Sequence, residues 1–389
     1  MARFFTSGFE VNATAAGSEW YSYNGTVSID GTTKRSGRYA LRANPTSSTG
    51  YAEFIWKSNV VTTGNRYYRV YLYIATAPSV DANIMGEYGG SSDGFYVVLT
   101  TARTLELYGD TQLGSTGTTV LALNTWYRIE FEGKYSSSAV ANELFIDGVS
   151  EITGSIAQSS VMDRFRCGIS TSCTADLYFD DVSIADDAHT GAGNVVTIFP
   201  DADGDENTVT RNSGTNNYYT YIDDNPPDDA TTYLICNATS EDLLVNMETM
   251  ANAGASVVDS ITIVHVGGKW YDQSIFSDAR FKCLDGASTQ VGTTILAGNG
   301  VYNAFVASGS NPVETYVEIG VNMTTKPSGG AWTEAAVDAL QCGFEGVSVQ
   351  FSHEFRVTTL WATIEYVEGT PAATGISNRT LTGHGRLRT

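Results

Sequence analysis

Apolar and polar residues alternate along most of this chain with a period of two, the pattern of strands whose two faces meet different surroundings. RYALRA, YAEFIWKSNVV, RYYRVYLYI, GFYVVLTT, TLELYG, TWYRIEFEGKY, NELFIDG and LYFDDVSI are short runs separated by Gly, Asn and Ser. They predict an antiparallel sandwich of the jelly-roll kind in the first half. Within RYYRVYLYI, Tyr68, Val70, Leu72 and Ile74 share the face expected in the core, and Tyr67, Arg69, Tyr71 and Tyr73 share the other. IDGV at 146–149 predicts a tight hairpin, because Asp147 and Gly148 accept the positive φ of a primed turn.

The pattern stops at ADDAHTGAGN, residues 185–194, and resumes in NVVTIFP, NYYTYID, TTYLIC, SVVDSITIVHVGGKW, TYVEIGVNM, GVSVQF and FRVTTLWATIEYV. The expected fold class is therefore all-β: two tandem antiparallel β-sandwich domains, 1–187 and 195–369, joined by a linker at 188–194. WTEAAVDALQCG predicts one short helix in the second domain, with Thr333 as N-cap and Gly343 just beyond its end. SEDLLVNMETMANAG stays open, since Leu243, Met247 and Met250 also suit a helix. Residues 370–389 hold few apolar side chains and read as an extended C-terminal arm. Arg379, Arg386 and Arg388 place positive charge on that arm, which suits docking into an acidic groove of another copy or of an underlying shell.

Composition narrows the partners. In 389 residues, 43 acidic side chains stand against 22 basic ones, a net charge of -21 that argues against nucleic acid. No run of about 18 apolar residues occurs and MARFFTSGFEVNATAAG lacks an apolar h-region, so neither a membrane span nor a secretory signal is expected. The five cysteines have no zinc-like spacing and are expected reduced and buried, with pairing of Cys167 and Cys173 across a hairpin as the minor alternative.

Catalytic motifs are not legible. The sequence has no G-x-S-x-G, P-loop, G-x-G-x-x-G or C-x-x-C, and His189, His265, His353 and His384 are scattered, so no enzyme is expected. DADGDEN at 201–207 reads as a solvated acidic turn, because Gly204 and Asn212 do not suit a calcium loop. LYFDDVSIADD is harder to place. Under strict alternation Asp180 and Asp181 point to opposite faces, so one carboxylate joins an apolar face and needs a charged partner, backbone N–H donors or a metal. The face of Tyr67, Arg69, Tyr71 and Tyr73 suits a plain half-covered sheet, a subunit contact or a glycan.

SGFEVN, RSGRYALRAN, NTWYRIEFEGKY, NELFIDGV and YFDDVSI, in this order over residues 1–187, resemble the laminin-G/concanavalin-like and carbohydrate-binding-module jelly rolls. That resemblance implies a structural calcium between a carboxylate near the first strand and one on the last, here Glu10 with Asp180 or Asp181. No other cofactor is implied, and satisfaction of the acids by backbone N–H groups or an arginine is the alternative. NNYYTYIDDNPPDDATTYL, GGAWTEAAVDALQCGFEG and FRVTTLWATIEYVE, over residues 195–368, resemble a domain common in structural proteins of tailed bacteriophages. Tyr221, Asp223, Asp224, Pro226, Pro227, Asp228 and Asp229 in the first motif, and Trp332, Thr333, Leu340, Gly343, Arg356, Val357, Glu365 and Tyr366 in the others, carry this second resemblance, and Cys342 stands where it leads one to expect another residue.

The second resemblance implies a non-enzymatic virion component: an exterior decoration or cement protein, a fibre base or a tail-associated part. Its expected partners are other virion proteins and further copies of itself in a symmetric homo-oligomer. The rival is a carbohydrate-binding adhesin that recognises host-surface glycan. Neither reading requires nucleic acid or membrane.

Overall fold

The computed structural model describes residues 3–14, 19–55, 64–89, 92–159, 162–228, 231–272, 278–286, 291–295, 317–348 and 355–369. Sheet I runs Val149–Gln158, Trp126–Ile146, Gly64–Thr76, Asp176–Ala185, Ala40–Ala43, Val27–Asp30, with Arg3–Ser7 paired to the end of Asp176–Ala185. Sheet II runs Gln112–Leu113, Leu105–Tyr108, Ser92–Leu99, Ala82–Gly89, Arg164–Cys173, Ser48–Ile55, Ser22–Gly25. The two enclose one apolar core reaching from Phe5 to Ile184.

From Asn194 onward the strands form two further sheets. Sheet III runs Thr210–Arg211, Leu234–Cys236, Phe355–Glu368, Val258–Asp272, Val317–Met323, with Asn194–Ile198 also on Phe355–Glu368. Sheet IV runs Pro200–Asn207, Asp242–Met247, Gln341–Ser348, Asp278–Leu284, Val291–Ile295. A second core, from Val196 to Tyr366, lies between them. The molecule is all-β in antiparallel sheets, as the alternation predicts.

Local expectations fare unevenly. Asp147 and Gly148 turn with φ of 51° and 83° between Ile146 and Val149, which face each other across the hairpin. Thr333 caps the helix Glu334–Asp338 by accepting from the Ala336 N–H. Gly343, however, does not end that helix: it lies inside Gln341–Ser348, where a Cβ would fall 1.8 Å from the Leu243 carbonyl oxygen. Asp242–Met247 is a strand, because Leu243 and Val245 point into the core at strand spacing. DADGDEN is not a turn but most of the edge strand Pro200–Asn207. Cys167 and Cys173 cannot pair, since both lie on one strand, six residues or about 20 Å apart. All five cysteines are buried free thiols.

The outer side of sheet I meets the strand Phe355–Glu368 of sheet III. Val11, Phe199 and Trp361 form a small apolar cluster at this joint. Beside it Glu365 accepts from Arg3 Nε at 3.1 Å, Arg69 Nη1 at 2.7 Å and the Ser183 hydroxyl at 3.1 Å, all buried.

Candidate functional site

Glu10, Asp180 and Asp181 do converge, and all three are fully buried. The strand Asp176–Ala185 sends Leu177 and Phe179 into the core, then Val182 and Ile184. Its phase changes at Asp180–Asp181, where the pairing register shifts and Asp181 takes a φ of 49°. This bulge keeps both carboxylates off the core face, which strict alternation forbids. They meet the loop Arg35–Tyr39 instead. Asp180 accepts from the N–H groups of Arg35, Ser36 and Asp181. Asp181 accepts from the Arg35 guanidinium, the Ser36 hydroxyl and the Val195 N–H. Glu10 accepts from the N–H groups of Arg38 and Tyr39. Gly37 makes this approach fit, because its φ is 58° and a Cβ there would fall 2.1 Å from Glu10 Oε1.

Burial pushes the Glu10 and Asp180 carboxyls well above the usual carboxylate range, against the lowering effect of these N–H donors and with the neighbouring acids adding to the rise. All six carboxylate oxygens accept from protein donors, and Arg35 supplies the positive charge that an ion would bring. Among the described residues no three His, Cys, Asp or Glu side chains form a set able to hold a metal. As placed, the three acids fit an arginine-and-amide clamp rather than the six or more oxygen positions of calcium.

The expected face of Tyr67, Arg69, Tyr71 and Tyr73 exists, but three of its four members are not a free surface. Tyr67, Arg69 and Tyr71 are all buried: the linker and second sandwich lie against Tyr67 and Arg69, and the Arg35 loop of the first sandwich lies over Tyr71. His189 packs edge-on against Tyr67 at 5.0 Å, Gly191 accepts from Arg69, and the Arg35 guanidinium lies 3.4 Å over the Tyr71 ring. A subunit or glycan contact at these three is thus corrected to an internal joint. Tyr73 remains half-exposed against Trp126 and Tyr178. Arg379, Arg386 and Arg388 lie outside the described residues.

A different aromatic face appears on the outside of sheet II. Direct cross-strand neighbours form one row: Ser22, Glu53, Arg166, Gly86, Tyr96, Tyr108 and Gln112. Seven strands at about 4.8 Å make this row about 29 Å long. Tyr96 and Tyr108 stack in parallel, with centroids 5.2 Å apart and planes 8° apart, and both are half-exposed. Arg166 lies 4.7 Å over the Tyr51 ring and 4.3 Å over the Tyr88 ring while its Nε donates to Glu53 at 2.8 Å. Gly86 sits between these groups, so no side chain rises from the middle of the row. Burial pushes the Tyr108 hydroxyl up to about 12, Glu106 and Tyr96 adding to the rise, so it stays protonated at neutral pH. The sequence signal was the alternation of Tyr96 with Val97 and of Tyr108 with Leu107. The strand partners that align these residues were not legible.

No protein-family profile and no curated protein matches the chain. Among solved structures, the cellulose induced protein Cip1 is similar at 14% identity and TM-score 0.35, over 48% of this chain and 92% of that one. Domain 4 of AbnA, a GH43 extracellular arabinanase from Geobacillus stearothermophilus, in complex with arabinotriose, is similar at 11% identity and TM-score 0.33, over 48% and 94%. A GH131 β-glucanase catalytic domain from Podospora anserina is similar at 13% identity and TM-score 0.34, over 46% and 88%. These likenesses fix neither a ligand nor an activity for this chain, and none of the three is described as a virion component.

Proposed function

We propose that this chain is a non-catalytic glycan-binding protein that holds a polysaccharide along the outer row of sheet II. The observation that carries this reading is the alignment of Arg166, Gly86, Tyr96 and Tyr108 across adjacent strands. Stacked phenol rings offer flat faces to sugar C–H groups, and a guanidinium fixed between two rings offers planar donors to hydroxyls. The row is long enough for a chain of sugars rather than a single one. Its two nearest acids are engaged: Glu53 binds Arg164 and Arg166, and Glu106 accepts from Tyr108 and Thr116. A hydrolase would need a facing acid and nucleophile or base, so binding without cleavage is the reading this pair supports.

The setting in this proposal is the exterior of a tailed-phage particle, as a decoration, fibre-base or tail-associated protein. That part rests on the C-terminal motifs. Copies of this chain and other virion proteins are the proposed partners, with the 370–389 arm as a docking segment. Counting copies in purified particles tests the setting.

The binding reading is tested by affinity electrophoresis across a panel of soluble polysaccharides. Tyr96→Ala with Tyr108→Ala is expected to abolish retardation while leaving the melting temperature of the fold within a few degrees. A panel on which the unaltered protein shows no retardation, or release of reducing sugar by that protein, would falsify the proposal.

A further inference from the structure

Cys283 and Cys342 stand directly opposite each other on adjacent antiparallel strands of sheet IV, Asp278–Leu284 and Gln341–Ser348. Their sulfurs are 3.8 Å apart, and both side chains are buried in the second core. Directly opposed residues of an antiparallel pair have Cα atoms about 4.5–5.5 Å apart, within the roughly 4.4–6.8 Å that a disulfide spans. Bringing the sulfurs to bonding distance therefore asks for side-chain rotation and no slip of the strands. The other three cysteines have no such arrangement: Cys167 and Cys173 share one strand, and Cys236 lies on sheet III.

We propose that Cys283 and Cys342 form an oxidation site, converted to a cross-strand disulfide by a low-molecular-weight disulfide such as oxidised glutathione. One protein thiolate attacks the small disulfide, forming a mixed disulfide and expelling a glutathione thiolate, which takes up the proton released. The second protein thiolate attacks the protein sulfur of that mixed disulfide, and the second glutathione leaves as a thiol. Two protein thiols lose two electrons and two protons, and one oxidised glutathione becomes two reduced molecules.

Timing follows from burial. Both sulfurs are shut off from solvent, and desolvation raises the Cys342 thiol well above its ordinary range, with Cys283 adding to the effect, so the Cys342 thiolate is scarce and a small disulfide has no access to either thiol in the folded domain. Exchange then proceeds in chains that are folding or locally open. A protein made in a reducing compartment stays unlinked, and one that refolds or breathes in an oxidising medium becomes stapled. The bond joins positions 59 residues apart and ties Asp278–Leu284 to the strand beside it, a long loop of the kind in which constraint of the unfolded chain stabilises most.

The test is refolding of the full chain from denaturant in a glutathione buffer rich in the oxidised form. The expected result is three titratable thiols out of five, a proteolytic peptide linking Cys283 to Cys342, and a melting temperature several degrees higher that falls back on reduction. Cys283→Ala and Cys342→Ala should each remove both the peptide and the rise. Should either variant fail to fold, the thiol count and peptide map of the unaltered chain still decide. Five titratable thiols after such refolding, or a linked peptide containing any other cysteine, overturns the proposal.

Discussion

Glu365 takes three hydrogen bonds from the first sandwich although it belongs to the second. Burial by itself would raise its carboxyl, but Arg69 and Arg3 outweigh burial and hold it below the ordinary range. Removing the carboxylate leaves the fully buried Arg69 side chain without its counter-charge. Glu365→Ala is therefore expected to cost about 3–5 kcal/mol in urea unfolding. The triple change Glu365→Leu with Arg69→Met and Arg3→Met should cost much less, since removing both buried guanidinium partners together with the carboxylate leaves none of the three charges stranded. The clamp at Glu10, Asp180 and Asp181 gives a second expectation. Arg35→Ala should lower the melting temperature, whereas EGTA should leave it unchanged. A fall of several degrees with EGTA would restore calcium to those acids, because one ion at 100 times its dissociation constant contributes about 2.7 kcal/mol.

Single elements show where local pattern suffices and where it fails. The core phase of RYYRVYLYI and the Asp147–Gly148 turn follow from rules that act within a few residues. The strand Asp176–Ala185 breaks its own rule because Asp181 adopts a positive φ and inserts an extra residue, a choice stabilised by a loop about 145 positions away. That loop depends on Gly37. Gly37→Ala should cost more than about 1 kcal/mol, as both its conformation and the room beside Glu10 forbid a Cβ. A melting curve identical to that of the unaltered protein would show that the clamp contributes little to the fold.

At the scale of the molecule, pH acts on the joint through Glu365. Its folded carboxyl lies below the unfolded value of about 4.3, so its contribution is complete above that value and is lost as pH falls through the lower folded one. Asp223 runs the other way: burial, then Asp224, pushes it up to about 6, so its share is present in acid and fades as pH rises through about 6. Acid unfolding below about pH 4 should thus begin at the joint. It should show first as exposure of Trp361 at the domain contact, with sheet II and its tyrosine row retained. Simultaneous loss of both sandwiches on acid titration would refute a separable joint.

The alternation of side chains by itself determined the all-β class, the two runs of strands, the core face of Tyr68 to Ile74 and the cap at Thr333, because these depend on the nearest few residues. Alternation also brought Asp180 and Asp181 under suspicion, while Glu10 was joined to them only by the resemblance to jelly-roll modules. What answers their charge was decided only in three dimensions, by Arg35 and backbone amides that no spacing rule connects to them. The same holds for the aromatic faces. Tyr67, Arg69 and Tyr71 had the composition of a binding surface, yet the linker covers Tyr67, Glu365 of Phe355–Glu368 meets Arg69, and Arg35 lies over Tyr71. Tyr96, Tyr108 and Arg166 drew no attention in the sequence and became a row only when antiparallel pairing aligned their strands, since a strand's own pattern specifies which side a residue faces but not which neighbour stands beside it.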